Sequence, residues 1–143
     1  MTTKQIELVK SSWQLVATMD VQTVGSLFYN RLFEIAPEVK PMFSHTAAAE
    51  QSKKLLAMLG YIINKLDNIG EIIAEVKKLA QRHVHYGVKD EHYTEVGRAL
   101  LWTLEKGLGN GWNEELKSAW TSCYTMLAGA MIEAASQTEM AVL

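Results

Sequence analysis

The sequence predicts an all-α fold of about six long helices plus one short helix started by a proline. Three observations predict it. Apolar residues recur every three or four positions almost throughout, and no stretch alternates apolar and polar as a half-buried strand does. Helix-starting and helix-stopping residues punctuate that periodicity. Both prolines, Pro37 and Pro41, lie in one corner, so the helices on either side can run unbroken.

The first helix runs from about Thr3 to Met19, with Ile6, Val9, Trp13 and Val16 on one side, and Thr2 with Gln5 can form a capping box. Asp20 suits the N-cap of a second helix ending near Ala36, whose inner face holds Val24, Leu27, Phe28 and Leu32. Pro37 ends that helix and can open a short new one, and Pro41 follows, so the chain turns sharply before Phe43. A third helix covers about Ala47 to Leu66, with Leu55, Leu59, Ile62 and Leu66 inward. The fourth runs from about Glu71 to Tyr86, and Gly87 is a natural stop. The fifth starts after Asp90 and ends near Gly107, burying Val96, Leu100, Leu101 and Leu104. Gly107, Gly109 and Gly111 form a loop, and Asn113 caps a sixth helix. That helix buries Leu116, Trp120, Cys123, Leu127 and Met131, and its end is expected to fray from about Ser136. The order helix, proline corner, helix suggests steep crossings that can leave an interior pocket.

At 143 residues the chain is one domain's worth, spanning 1–143, and can bury a core without staples. A net charge of -2 with no basic run gives no support to nucleic-acid binding. Cys123 is the only cysteine, which excludes an intrachain disulfide and a Cys-rich metal site. The opening residues lack the apolar core of a secretory signal, and no apolar run approaches a membrane span. A cytoplasmic protein without membrane attachment is the expectation.

Ile72, Val76, Leu79 and His83 form one helical stripe that should point inward. An imidazole buried there needs a partner for its ring nitrogens. That partner is a backbone carbonyl or a metal, and on spacing alone a core histidine bonded to a carbonyl is the commoner case. His83 and His85 are two apart and face different directions, so they do not make a helical zinc pair, and no carboxylate-rich metal box is visible. A single inward histidine suits a metal already held by a macrocycle, since haem iron asks only an axial ligand of the protein.

Other residues carry two readings each. Gln51, one turn before Leu55, either donates its amide to a diatomic ligand or points at solvent. Tyr29 beside Phe28 is either a buried hydroxyl needing a partner or a half-exposed side chain. Phe43 either packs the corner or presses on a flat cofactor. Lys54 and Arg82 flank the candidate pocket, as partners of a cofactor's carboxylates or as solvated charges. Tyr93 either hydrogen-bonds near His83 or packs. No serine-histidine-aspartate order, phosphate-cradling loop or dinucleotide fingerprint appears.

Together these residues resemble a globin. The run Leu27-Phe28-Tyr29-Asn30-Arg31-Leu32-Phe33, then Pro37 and Pro41-Met42-Phe43, resembles the second helix and corner of that family. Gln51-Ser52-Lys53-Lys54-Leu55 resembles its distal helix, and Gln81-Arg82-His83-Val84-His85-Tyr86-Gly87-Val88 its proximal helix end. His92-Tyr93-Thr94-Glu95-Val96-Gly97-Arg98-Ala99-Leu100-Leu101 and Ala119-Trp120 complete a match over nearly the whole chain. It is closest to bacterial single-domain globins and to the haem domain of flavohaemoglobins.

The resemblance implies haem b between the third and fourth helices, with His83 as the iron ligand. Phe43 matches the phenylalanine packed on haem, and Tyr29 with Gln51 the distal pair that hydrogen-bonds oxygen. Leu55 matches the apolar residue that crowds the ligand, and Tyr93 a proximal-side tyrosine. Leu79, Arg82, Val88 and Lys54 are expected around the cofactor. Two departures matter. Gln51 stands where many globins have histidine, so an internal sixth ligand would have to come from His45. The glutamate of the flavohaemoglobin last helix is replaced in ungapped register by Ala135, with Glu133 two residues away. The functions implied are reversible high-affinity oxygen binding, or nitric oxide dioxygenation with a separate reductase. A cofactor-free helical interaction module is the third possibility. The ligands expected are oxygen, nitric oxide and carbon monoxide, on a monomer or weak homodimer.

Overall fold

The computed structural model describes residues 1–44, 46–85 and 88–142, excepting the side chains of 85 and 137–142. It is all-α among the described residues, with six long helices and 3-10 turns between the second and third, the third and fourth, and the fifth and sixth. Helix α1 (Thr3–Ala17) begins with the capping box: the Thr2 hydroxyl accepts from the Gln5 N–H at 3.1 Å, and Gln5 Oε1 accepts from the Thr2 N–H at 3.0 Å. Val9, Trp13 and Val16 face inward, as the periodicity requires. Ser12 is also buried. Its hydroxyl donates to the Leu8 carbonyl at 2.7 Å and accepts from Trp120 Nε1 at 2.9 Å, which ties α1 to the last helix.

Helix α2 (Val21–Ile35) starts where the Asp20 carboxylate accepts from the Thr23 N–H at 3.0 Å, and it buries Val24, Phe28 and Leu32. Gly25 lets it cross α3 (Ala48–Asn64) at close range. A Cβ on Gly25 would lie 2.0 Å from Ser52 Oγ and 3.2 Å from Ser52 Cα. Between α2 and α3 the proline corner is a 3-10 turn over Pro37–Phe43.

The main departure from the sequence reading follows α3. A second 3-10 turn, Leu66–Ile72, occupies the segment before the fourth helix, with Asn68 outside helical backbone angles. Leu66 and Ile72 anchor its two ends in the core. Helix α4 (Ile73–His85) therefore starts after Ile72 rather than at Glu71. Helix α5 (Asp90–Leu108) ends at Gly109, whose φ of 53° is open to glycine and costly for other residues. After a turn at Gly109–Gly111, Asn113 Oδ1 accepts from the Leu116 N–H at 2.8 Å and starts α6 (Glu114–Val142). The helix continues beyond Ser136, where fraying was expected. Gly87 and His45 lie outside the described residues.

Two apolar groups hold the helices together. The larger joins α1, α2, α5 and α6 around Val9, Phe28, Leu32, Leu104 and Trp120. The smaller joins α4 to α6 through Ile72, Val76, Ala80, Tyr93 and Met131. Helix α3 thus rests on α2 and α1 while α4 rests on α6, so the two are held by different partners. No helix is long and apolar enough to cross a membrane.

Candidate functional site

The crossing of α2 and α3 positions one half of the site. Tyr29 lies one helical turn after Gly25, and Gln51 directly precedes Ser52, so the close approach brings the two together. The Tyr29 hydroxyl lies 3.5 Å from the main-chain oxygen of Gln51, at the outer limit of a hydrogen bond. Both side chains are half-buried. Burial pushes the Tyr29 pKa up to about 12, and Gln51 pulls weakly the other way, so the phenol stays protonated as a donor at neutral pH. Its ring meets Phe28 edge-on at 4.9 Å and Phe43 at 5.3 Å, and Phe33 meets Phe43 at 5.7 Å. Phe43 is thus held at the corner by aromatic neighbours. Leu55, one turn beyond Gln51, is half-buried.

The other half is on α4. The stripe runs from buried Ile72 and Val76 to half-buried Leu79 and His83. His83 Nδ1 lies 2.7 Å from the Leu79 carbonyl oxygen. A carbonyl can only accept, so Nδ1 carries the proton and Nε2 presents a lone pair. Among the described residues no hydrogen bond reaches Nε2. Burial holds the His83 pKa below its ordinary value; the Leu79 carbonyl acts against this and the Arg82 charge adds to it. The ring stacks on Tyr93 with centroids 6.3 Å apart and planes 23° from parallel. Tyr93 is buried, and its carbonyl accepts from the Tyr124 hydroxyl at 2.5 Å. Gly97 makes room for Tyr124, since a Cβ there would lie 2.6 Å from its ring. Val88, half-buried, donates its N–H to the His83 carbonyl at 2.9 Å.

Lys54 and Arg82 are exposed, and neither is in an ion pair among the described residues. Ala135 is buried and Glu133 exposed, so α6 brings no buried carboxylate to that register. The donor set suits haem. It offers one neutral imidazole with a bare lone pair, oriented by a carbonyl on its other nitrogen. Apolar Leu55, Leu79, Val88 and Phe43 and the protonated phenol complete a haem-compatible surrounding.

The sequence reading missed three positions. Gly25 looks like a weak helix residue, and its role depends on Ser52 far along the chain. The Ser12–Trp120 bond is equally non-local. His92 enters the sequence reading only as the start of a family-like run, yet it is 6% exposed and stands close to Glu38 and Glu95. The i, i+3 spacing of His92 and Glu95 was a visible signal, but nothing in the linear order brings Glu38 to them.

A family model described as Globin matches residues 26–131. The chain is 36% identical over 145 residues to an anaerobic nitrite reductase of Gossypium hirsutum, covering 91% of each. It is 34% identical to a flavohemoprotein of Rhodopirellula baltica, covering 90% of this chain and 32% of that one, so it spans about a third of this relative. A bacterial globin structure from Campylobacter jejuni superposes with a TM-score of 0.84 at 28% identity, covering 96% of this chain and 99% of that one. An engineered carbene transferase from Rhodothermus marinus, at 23% identity and a TM-score of 0.88, is alike in fold, covering 99% of this chain and 98% of that one. The match takes in both the Tyr29 and the His83 sides of the site, and the chain belongs to the globin family, which implies haem binding and a diatomic gas as ligand.

Proposed function

We propose that residues 1–143 form a single globin domain that holds haem b between α3 and α4 and binds oxygen reversibly and tightly, for storage or scavenging. One observation carries this reading. An imidazole on α4 whose Nε2 takes no hydrogen bond among the described residues is matched by a protonated phenol beside Gln51 at the α2–α3 crossing. When bound, haem supplies a ferrous iron with one position for a diatomic ligand. His83 would hold that iron through Nε2. The Leu79 carbonyl fixes the ring's tautomer and orientation and raises its basicity. The Tyr29 hydroxyl and the Gln51 amide donate to the ligand, and charge-assisted bonds of this kind contribute about 1.5–3 kcal/mol each. Phe43 and Leu55 exclude water and restrict the space. Lys54 and Arg82, both exposed, would pair with the carboxylates of haem b.

The first experiment is an absorption spectrum of the purified protein, as isolated, reduced, and under carbon monoxide. A five-coordinate ferrous spectrum that shifts sharply with carbon monoxide supports the reading. A protein that stays colourless after haemin is added overturns it. A sharply split six-coordinate ferrous spectrum would mean an internal ligand, with His45 the first suspect.

A second reading, nitric oxide dioxygenation, is the other activity implied by the resemblance to flavohaemoglobins, and relatives named flavohemoprotein extend that resemblance. It requires electrons from a separate reductase. Sustained nitrate production from nitric oxide with a reductase present supports it, and a single stoichiometric oxidation under every reductase tried eliminates it. Nitrite belongs in the same assay, because several relatives are named nitrite reductases.

A further inference from the structure

Glu38 of the proline corner meets His92 and Glu95 of α5 at a place that shares no residue with the haem site. One ligand-type atom from each residue lies within 4.8 Å of the other two. His92 is 6% exposed, Glu95 half-buried and Glu38 exposed. Among the described residues no hydrogen bond or ion pair joins the three to one another, and Glu95 Oε2 is buried without a partner. A carboxylate oxygen taken out of water with no donor is costly, so the arrangement calls for a positive charge between these groups.

We propose that Glu38, His92 and Glu95 form a binding site for a divalent transition-metal cation, with zinc as the natural probe. The chemistry suits it. Imidazole and carboxylate are both zinc ligands, and three protein donors leave further positions to water. Residues three apart on a helix project to the same point, so α5 presents His92 and Glu95 together, and the corner supplies Glu38 from the far side. In the metal-free chain the Lys89 N–H donates to His92 Nδ1 at 2.9 Å. That bond leaves Nε2 as the nitrogen available to the cation. In the metal-free chain Nε2 carries the ring proton. Coordination moves the proton to Nδ1 and breaks the Lys89 bond, so metal binding is coupled to release of the cap at the start of α5. Bridging the corner to α5 would also brace the segment that carries Phe43.

The test is a calorimetric titration of the full chain, as purified and freed of loose metal with a chelator, with zinc alone. One equivalent is expected to bind. Glu38→Gln and Glu95→Gln, which keep size and shape, each weaken binding by about tenfold or more, given that even outer partners of a metal site are worth that much. The zinc X-ray absorption edge is expected to show a single imidazole, and exchange of the Lys89 amide proton is expected to quicken with zinc bound. Absence of saturable binding, or unchanged affinity in both glutamine variants, overturns the site. Two or more imidazoles on the zinc places it elsewhere and overturns the site as well. A Lys89 amide still protected with zinc bound removes His92 from the ligand set and with it the three-residue site.

Discussion

His83 Nδ1 lies 2.7 Å from the carbonyl oxygen of Leu79, one turn earlier on the same helix. The sequence left two roles open for this histidine, a core imidazole bonded to a carbonyl or an axial ligand to iron. The bond makes them compatible, because a carbonyl on Nδ1 is what turns Nε2 into a ligand. His83→Ala is therefore expected to lose haem or hold it loosely, with the Soret band bleaching on gel filtration. Full retention with an unaltered ferrous spectrum would refute the assignment.

Tyr29 and Gln51 meet at the crossing of α2 and α3, where the proposed reading puts the ligand. Tyr29→Phe and Gln51→Ala are each expected to speed oxygen release by about tenfold to a hundredfold, the rate equivalent of one charge-assisted hydrogen bond. The double variant should fall short of the product of the two, since both contact the same ligand. Stopped-flow release rates unchanged in both single variants would remove the distal pair from the mechanism.

What the sequence discloses and what it hides follow from the range of the physics. Helix starts at Thr2, Asp20 and Asn113 were legible because a cap is a contact between residues two or three apart. The inward faces of α1 and α2 were legible because burial follows the helical period. The break between Leu66 and Glu71 was legible, since Asp67, Asn68 and Gly70 are turn formers, but its winding into a 3-10 turn was not, because the two ends are fixed by burial of Leu66 and Ile72 in the core. Tyr29, Gln51 and His83 could be singled out one by one, but only the packing of α2 on α3 and of α4 on α6 says which of them are neighbours.

Gly25 is the narrowest point of that packing. Alanine there would set its Cβ 2.0 Å from Ser52 Oγ and 2.4 Å from Ser52 Cβ. Both atoms stand on a helix, so α2 and α3 must part. Gly25→Ala is expected to lower stability by about 1–3 kcal/mol, the usual cost of overpacking, and to loosen the Tyr29–Gln51 contact. Adding Ser52→Gly should recover part of the loss. Urea midpoints for the wild type and the two variants check this, and a wild-type midpoint for Gly25→Ala would contradict the close crossing.

Burial raises the Tyr29 pKa from 10.0 to about 12, which links its phenol to stability at high pH. In the unfolded chain the proton leaves near the ordinary value, while the folded chain keeps it about two units longer. Between those values the unfolded state binds fewer protons, so stability falls as pH rises. The Tyr29 contribution is whole below pH 10 and is lost progressively toward pH 12. Two units correspond to about 2–3 kcal/mol at most. Tyr29→Phe should show a shallower decline across that window in denaturant titrations. Parallel declines in the two proteins would show that the phenol is not buried as described.

Ser12 and Trp120 supply the last prediction. The indole Nε1–H donates to the Ser12 hydroxyl at 2.9 Å in a region where Trp120 is 1% exposed and Ser12 5% exposed. Ser12→Ala removes the acceptor and leaves a buried donor unmet, which costs about 1–3 kcal/mol. The Leu8 carbonyl also loses the serine's donation, but it is a main-chain acceptor within α1 and has its helical partner, so the larger share falls on the indole. Ser12→Ala measured in a Trp120→Phe background has no indole N–H to strand, and its cost should shrink there. Equal costs in the two backgrounds, by chemical denaturation, would show that the bond joining α1 to α6 adds nothing beyond the packing of the two rings at 6.2 Å, Trp13 against Trp120.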